Sequence, residues 1–346
     1  MVNNFKNKFL VPVGGDDERY FELLEKYKKY IGGVYIGWPD APSGRNIQTA
    51  TRKFFDRVFE WCRKNKKVFD ILFNMQANAY YEGFNYKKIN LSPYLYKGTE
   101  LTFSSIMLLK ENIFSGFKKN ISVNYKVNFI QQLHILKKEI PDLNSIIVDR
   151  DINRDQKRVN LITKTAKKLG INVDILATEG CVPFCPHKID HNIFITSEHF
   201  YPDANKIMQK KSREICNIFY GSDTSNMLRT PSLTLEALVS YPGRFFKISG
   251  RELPATLIDE ILDYYINRKP IDIGKLFPLI KYSTGVTTDL IPKSFHKKIL
   301  HCKNECYRCN FCSKIYEKME AKSKKVSGSS YLPKIILAGK NLSRKC

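Results

Sequence analysis

The sequence has no uninterrupted apolar run of the roughly 20 residues that a transmembrane helix needs. Its N-terminal stretch, MVNNFKNKFLVPVGGDD, also lacks the apolar segment and the small-residue cleavage site of a secretory signal. These absences predict a cytoplasmic protein without a membrane span. Three catalytic signatures are missing as well: no GxGxxG follows the first apolar strand, and neither HExxH nor a Ser-His-Asp pattern stands out. A dinucleotide site is therefore disfavoured.

Acidic residues are scarce relative to basic ones. The chain has 34 Asp and Glu against 57 Lys and Arg, a formal net charge of +23. Such a charge favours RNA or another polyanion as a partner. The lysines are scattered in short groups, however, and a composition rich in Lys, Asn and Ile also suits an AT-rich genome. Both explanations of the charge stay open.

The 346 residues, 43% of them apolar, suit one large barrel or two domains. Apolar strands alternate with amphipathic helices over short connections, which predicts parallel strands joined by helical crossovers. Six or seven such units precede residue 250. We therefore predict an α/β protein with a (β/α) TIM-barrel-like domain over 1–270 and a basic, Cys-containing C-terminal extension over 271–346. Within these, we expect a helix over 101–117, a strand over 121–127 and loose order over 320–346.

Polar side chains follow the ends of several predicted strands, where barrels of this kind carry their chemistry. We expect a catalytic set there, with cationic groups that hold an anionic substrate. The predicted catalytic residues are Arg150, Asp151, Glu179, His191, Lys247 and Arg251, and the predicted substrate-binding residues are Asn74, Arg150 and Arg251. For residues 149–154 the alternative is a purely structural role as ion pairs around the barrel rim.

Nine cysteines are present, and seven of them fall into two groups. We expect Cys62 to be a core residue of a helix, and Cys346 is the last residue of the sequence. Cysteines in a Pro-containing loop just past a strand, in a chain without a secretory signal, indicate a metal or redox site rather than a disulfide. The first group is Cys181, Cys185 and Cys216, and the second is Cys302, Cys306, Cys309 and Cys312.

The second group has the spacing C-x3-C-x2-C-x2-C, which is similar to the runs that wrap iron–sulfur clusters. Zinc is the alternative, because four thiolates also suit a tetrahedral zinc site. The first group supplies three thiolates, and its fourth ligand stays open: a tail cysteine, His187 or His191, or a position left to the substrate. We therefore predict one or two [4Fe–4S] clusters, with zinc as the alternative at the tail cysteines.

Four stretches resemble, in order, the peptidase family U32, including its UbiU–UbiV-type iron–sulfur members. They are VDRDINR (148–154), ATEGCVPFCPHKIDH (177–191), Cys216 and RFFKISGRELPATLI (244–258), and the resemblance covers roughly residues 8–270. It implies a (β/α)-barrel-like fold and an oxygen-sensitive [4Fe–4S] cluster held by Cys181, Cys185 and Cys216. It further implies oxygen-independent hydroxylation or a related modification of a small molecule or RNA, with a possible partner subunit or electron donor.

Three functions follow as hypotheses. The first is an iron–sulfur hydroxylase or related modification enzyme. The second is a collagenase-like U32 peptidase, for which Cys181 with His191 is the candidate Cys–His pair. The third is a non-enzymatic RNA-binding or electron-transfer protein, which the net charge and the tail cysteines favour.

Overall fold

The structure is a computed structural model. It describes residues 5–39, 41, 50–74, 85–197, 214, 216, 218–251, 253–276, 283–302, 304–306 and 308–327.

Eight parallel strands close into a single barrel in sequence order, with the last strand paired to the first. The barrel confirms the predicted (β/α) fold and has more strands than the six or seven units expected. The strands are short and mostly buried on both faces, as parallel strands covered by helices must be. They are β1 (Phe9–Pro12), β2 (Ile31–Gly37), β3 (Val68–Phe73), β4 (Thr99–Phe103), β5 (Lys118–Ile121), β6 (Leu143–Ile147), β7 (Asn172–Leu176) and β8 (Phe246–Lys247).

The described helices include those that cover the barrel and those of the C-terminal segment. In α2 the buried residues form one apolar stripe that runs from Phe54 to Cys62, as in an amphipathic helix. None of the described helices is long and apolar enough to cross a bilayer. The helices are α1 (Arg19–Lys26), α2 (Arg52–Lys64), α3 (Ile106–Leu109), α4 (Ile130–Glu139), α5 (Gln156–Lys168), α6 (Lys188–Ser197), α7 (Leu235–Leu238), α8 (Ala255–Asn267), α9 (Lys293–Ile299) and α10 (Phe311–Ser327).

Two predicted elements in the middle of the chain are wrong. We expected a helix over 101–117, but the first residues of that range belong to strand β4. The rest of the range contains only the short α3 and a 3₁₀ turn over Asn112–Phe114. Strand β5 lies before the expected 121–127, where Val123–Tyr125 forms a 3₁₀ turn that ends at the left-handed Lys126. A short strand buried on both faces has no period-2 pattern, so its apolar residues merge with those of the next element.

The interior of the barrel contains a cluster of charged and polar side chains around Arg244. Arg244, which directly precedes Phe245 and β8, places Nη1 2.9 Å from Oε1 of Glu100 on β4 and Nη2 2.8 Å from Oδ2 of Asp174 on β7. Nη2 also donates to Oγ of Ser145 on β6. Buried charges are stable only when they are paired and hydrogen-bonded. This one guanidinium therefore ties three strands together inside the barrel.

The segment after residue 270 packs on the barrel rather than standing apart from it. Asp155, at the start of α5, forms an isolated antiparallel bridge with His301. In α10, the hydroxyl of Ser313 accepts a hydrogen bond of 2.7 Å from Nη2 of Arg229. Residues 320–327 are helical, contrary to the loose order expected for them, and 328–346 lie outside the described residues.

Candidate functional site

The loop at residues 149–154, directly after β6, occupies the centre of the site. Asp149 shapes it: its Oδ1 accepts a hydrogen bond from the backbone N–H of Asp151, and its Oδ2 accepts one from Nδ2 of Asn128. An Asp side chain that caps its own turn in this way fixes the backbone of the following residues. The loop therefore presents Arg150, Asp151 and Arg154 in defined directions.

Arg150 joins this loop to the first cysteine group. Its Nη1 donates to Sγ of Cys181 at 3.1 Å, and its Nη2 donates to Oδ1 of Asn124 at 2.8 Å. Its Nε lies 3.3 Å from Oε2 of Glu179, an ion pair without hydrogen-bond alignment. Burial disfavours the charge of Arg150, but Glu179 and Cys181 outweigh burial and raise its pKa above the ordinary value. Arg150 is thus a buried cation that faces a carboxylate and a thiol.

Glu179 fixes the backbone of the loop that carries Cys181. Its Oε1 accepts a hydrogen bond from the backbone N–H of Cys181 at 3.0 Å. Its own backbone is fixed by Ser232, whose hydroxyl accepts from the Glu179 N–H and donates to the Glu179 carbonyl. The sequence predicted a catalytic role for Glu179. In the structure this buried carboxylate orients both Arg150 and the Cys181 backbone.

Asp151 contacts the same cysteine loop further along the chain, at Phe184 and Lys188. Its carboxylate accepts two hydrogen bonds from Nζ of Lys188, at 2.7 and 2.8 Å, and one from the backbone N–H of Phe184 at 2.9 Å. Phe184 has a φ of 52°, a left-handed conformation that is uncommon for a bulky residue. Asp151 therefore stabilises an unusual turn between Cys181 and Cys185.

Cys185 and Cys216 are both partly buried against the core and are close enough to interact electrostatically. Burial raises the pKa of the Cys216 thiol to about 11, and the neighbouring Cys185 adds to the shift. Tyr220, one helical turn after Cys216, donates its hydroxyl to the Gly180 carbonyl at 3.3 Å. The structure thus brings the predicted Cys181, Cys185 and Cys216 to one region of the barrel mouth.

The tail cysteines approach the same loop through Arg154. The pKa of this buried guanidinium is lowered by burial, while Cys312, Cys302 and Cys306 act in the opposite direction. Burial raises the pKa of the Cys312 thiol to about 11, and Arg154 opposes that shift. The tail backbone is also tied to the loop, because Nδ2 of Asn304 donates to the Asp151 carbonyl at 3.3 Å. Arg150 and Arg154, one turn apart, therefore each face one cysteine group.

Lys247 and Arg251 lie at the end of β8, as predicted, but Lys247 points into the barrel. Its Nζ is 3.9 Å from Oδ2 of Asp70 on β3 and 3.8 Å from the centre of the Tyr35 ring. Burial lowers the pKa of Lys247 to about 8 and raises that of Asp70 to about 6. Arg251 is close enough for its charge to contribute to the lowered pKa of Lys247.

The remaining predicted residues lie near this end of the barrel. Asn74 directly follows β3, and its Oδ1 is buried without a hydrogen-bond partner among the described residues. His191 lies in α6 and is half-buried. His187 precedes α6 and is exposed.

The cysteines suit a metal centre in their chemistry. Thiolate is the ligand that zinc and iron–sulfur clusters prefer, and buried guanidinium groups stand beside both groups of thiols. Within the described ranges, no three His, Cys, Asp or Glu side chains are gathered tightly enough to hold a metal ion in this arrangement. The described cysteines form no disulfides. The donor type and the surrounding charge therefore fit a metal, and the ligand set remains a prediction.

Several residues of the site have no role in the sequence-based prediction. Charged residues inside otherwise apolar strands were the available signal for the barrel interior: Asp70 in VFDILF, Glu100 in TELTF and Asp174 in NVDIL. The partners Asn124 and Ser232 come from loops that are distant in the chain, and no local pattern indicates them, because only the closed barrel brings them to the cysteines. Lys188 lies close to Cys185 in the sequence, but its partner Asp151 follows a different strand.

No family model matches the chain. A protein of Methanocaldococcus jannaschii described as an uncharacterized protease is 22% identical over 324 residues, which cover 86% of this chain and 91% of that protein. Among solved structures, the U32 peptidase Mk0906 has a TM-score of 0.41 at 9% identity, over 55% of this chain and 77% of that one. Deoxyribose phosphate aldolase from Aeropyrum pernix has a TM-score of 0.31 at 9% identity, over 57% of this chain and 85% of that one.

Proposed function

This chain resembles the peptidase U32 family, and from that resemblance we propose that it is an iron–sulfur enzyme of the U32 type. Its reaction would be the oxygen-independent hydroxylation, or a related modification, of an anionic small molecule or RNA. Cys181, Cys185 and Cys216 would hold a [4Fe–4S] cluster at the barrel mouth. The observation that carries the proposal is the contact of 3.1 Å between Nη1 of Arg150 and Sγ of Cys181.

That contact favours an anionic sulfur. A guanidinium only donates hydrogen bonds and stays protonated, so Arg150 cannot remove a proton from Cys181. Its positive charge instead stabilises the thiolate, which is the form that binds metal. Glu179 keeps the Cys181 backbone in place through the N–H of that residue. This support suits a ligand better than it suits the Cys–His nucleophile of a peptidase.

The residues around the cysteines would bind and orient the substrate. A bound cluster with one iron open to the substrate supplies a Lewis-acid site. Arg251, at the end of β8, would attract the anionic group of the substrate. Asn74 has a buried Oδ1 available among the described residues to accept a hydrogen bond from a substrate hydroxyl or amide.

The test is anaerobic purification followed by an absorption spectrum and by counts of iron, sulfide and zinc. We expect a broad band near 400 nm and about four irons for one cluster, or about eight if the tail cysteines hold a second. Cys181→Ala should lose the iron of the barrel group. The matched control is Cys62→Ala, which removes a thiol that is buried in α2 and should leave the iron count unchanged.

Activity is measured on the same preparations. Loss of substrate modification together with iron in Cys181→Ala would support the proposal. Full activity in a Cys181→Ala protein that contains no iron would refute it. A wild-type protein that takes up no iron, even after reconstitution with iron and sulfide under anaerobic conditions, would also refute it.

A peptidase is the second candidate, because the Methanocaldococcus jannaschii protein that matches this chain is described as a protease. In that case Cys181 would act as a nucleophile, with the guanidinium of Arg150 stabilising the thiolate. A peptide and gelatin panel tests this candidate. Cleavage that iodoacetamide and Cys181→Ala abolish, in protein free of iron, would favour the peptidase over the iron–sulfur enzyme.

A further inference from the structure

Three large apolar side chains are exposed on the outer surface of two helices. Phe129 directly precedes α4 and is 57% exposed, Ile135 in α4 is 59% exposed, and Leu161 in α5 is 51% exposed. Single exposed apolar residues are normal on a protein surface, whereas a contiguous group indicates an interaction site. The distance between these three side chains therefore decides what they mean.

The two helices hold the three side chains side by side. α4 and α5 follow the neighbouring strands β5 and β6, so they pack against each other and run in the same direction. The guanidinium carbon of Arg158 lies 5.8 Å from the centre of the Phe129 ring, which sets the level of one helix against the other. Leu161 comes three residues after Arg158, and Ile135 comes six residues after Phe129. At about 1.5 Å per residue, the three side chains lie within roughly 10 Å along the helix axes. We call this patch, with the exposed residues around it on both helices, the α4–α5 face.

The charged residues of the α4–α5 face are almost all basic. The two helices contain seven Lys and Arg residues and one carboxylate, Glu139, which already pairs with Lys110. α5 has no Asp or Glu, whereas every other described helix of ten residues or more has at least one. Among the described residues, α5 forms one ion pair, from Nε of Arg158 to Oδ2 of Asp155 at 3.4 Å. The seven basic residues are Lys137, Lys138, Lys157, Arg158, Lys164, Lys167 and Lys168. The face therefore has a positive charge that its own carboxylates do not neutralise.

An apolar centre surrounded by cations matches the surface of an anionic membrane. Lipid headgroups attract Lys and Arg side chains, while Phe, Ile and Leu side chains insert at the boundary between headgroups and acyl chains. RNA would also attract the lysines, but it would leave Ile135 and Leu161 in water. A second copy of the chain would bring one group of cations against another. A bilayer also needs no groove of matching shape, which suits the convex outer surface of two helices.

We propose that the α4–α5 face docks this protein on anionic phospholipid membranes, with Phe129, Ile135 and Leu161 inserted among the headgroups and the lysines of α5 paired with lipid phosphates. Helices in such barrels begin at the carboxyl ends of the strands, so Phe129 lies at the end that carries the candidate site. The neighbouring Asn128 donates from Nδ2 to Oδ2 of Asp149 at 3.1 Å. Docking would thus bring the barrel mouth next to the headgroups. This inference does not depend on the proposed enzymatic function.

Co-sedimentation of the full chain with lipid vesicles tests the docking. Vesicles of phosphatidylcholine alone are compared with vesicles that also contain phosphatidylserine. We expect binding to the anionic vesicles that weakens as the salt concentration rises, and little binding to the neutral ones. Failure to bind the anionic vesicles at low salt would overturn the proposal.

Two double variants separate the apolar part of the face from the cationic part. Ile135→Gln with Leu161→Gln removes two apolar side chains and keeps the charge. Lys157→Glu with Lys164→Glu reverses two charges that flank Leu161 on α5 and keeps the apolar centre. We expect each double variant to bind the anionic vesicles at least about tenfold more weakly than the wild type. All four positions are exposed, and circular dichroism checks that the variants fold.

The matched control is Lys53→Glu with Lys64→Glu, which changes the net charge by the same amount. Both lysines are exposed on α2, which follows β2 and so lies across the barrel from α5. This control should keep most of the binding. An equal loss in the two charge reversals would mean that the net charge alone drives adsorption, and would overturn a specific face. Unchanged binding of the glutamine variant would mean that the apolar side chains do not insert. The face would then be a site for a polyanion such as RNA, and the membrane proposal would be wrong.

Discussion

Nη1 of Arg150 and Sγ of Cys181 lie 3.1 Å apart, although 31 residues separate them in the chain. The first follows β6 and the second follows β7, so the barrel brings together two loops at the carboxyl ends of neighbouring parallel strands. The contact also places the cation between a thiol and the buried carboxylate of Glu179. The electrostatic environment of Cys181 therefore depends on this guanidinium.

We predict that Arg150→Met lowers both the stability of the protein and the reactivity of Cys181. The substitution leaves Glu179 as a buried carboxylate without its cation, which should cost about 3–5 kcal/mol of unfolding free energy. It also removes the charge that favours the Cys181 thiolate, so alkylation of the metal-free protein by iodoacetamide should slow. Urea unfolding and peptide-resolved mass spectrometry measure the two effects.

The companion variant combines Arg150→Met with Glu179→Gln. Removing the carboxylate charge should recover part of the lost stability, because the unpaired ion causes most of the damage, whereas Cys181 alkylation should stay slow. If Cys181 reacted as fast in Arg150→Met as in the wild type, the guanidinium would have no role in activating this sulfur.

Arg244 should be the most sensitive position inside the barrel. It pairs with both Glu100 and Asp174, which are buried on different strands. Arg244→Met would leave two buried carboxylates unpaired, and we expect a loss above about 4 kcal/mol, with little folded protein recovered. Arg244→Lys should be intermediate, since an ammonium cannot reproduce the bidentate contact with Glu100. Expression yield and thermal unfolding rank the two variants, and equal stability would contradict the prediction.

The sequence predicted the barrel and the cysteines of the site better than it predicted the contacts between them. Strand–helix alternation and the stripe of α2 are local patterns, and they indicated the fold. The Arg244 network and the Arg150–Cys181 contact each join residues that are far apart in the chain. Such contacts arise only when the barrel closes, so no spacing rule could supply them. Strand β4 was assigned to a helix because burial on both faces removes the alternation that identifies a strand.

Gly14 is predicted to be essential for the position of Arg251. A Cβ added at Gly14 would lie 1.8 Å from the Arg251 carbonyl oxygen, a separation that no side chain can adopt. Gly14→Ala must therefore displace the backbone beyond β8, and we expect a loss of about 2 kcal/mol or more together with weaker binding of an anionic substrate. Gly221→Ala is the matched control, because its Cβ would meet no atom within 4 Å. In a helix this control should be neutral or stabilising by up to about 1 kcal/mol. Equal effects of the two substitutions would argue against the close approach.

The pair of Asp70 and Lys247 should give the protein a stability minimum between about pH 6 and pH 8. Asp70 has a folded pKa of about 6 against an ordinary value of 3.8. Between these values the unfolded chain has released the proton while the folded chain keeps it, so stability falls as the pH rises. Lys247 has a folded pKa of about 8 against 10.5. Between those values the unfolded chain binds more protons, so stability rises with pH.

The magnitude follows from the shift at Asp70. Two pKa units at about 1.4 kcal/mol each predict a decline of about 3 kcal/mol between pH 4 and pH 6. Urea unfolding across pH 4–10 measures the profile, and Asp70→Asn, which cannot ionise, should remove the acidic part of the decline. Lys247→Met should likewise remove the rise above pH 8. The difference between wild type and variant is the quantity to examine, because groups remote from this pair titrate equally in both. The pKa of Lys247 should fall further in Asp70→Asn, since the Asp70 charge raises it. Parallel profiles for wild type and Asp70→Asn would show that Asp70 titrates normally, and the barrel interior would then be better solvated than its burial indicates.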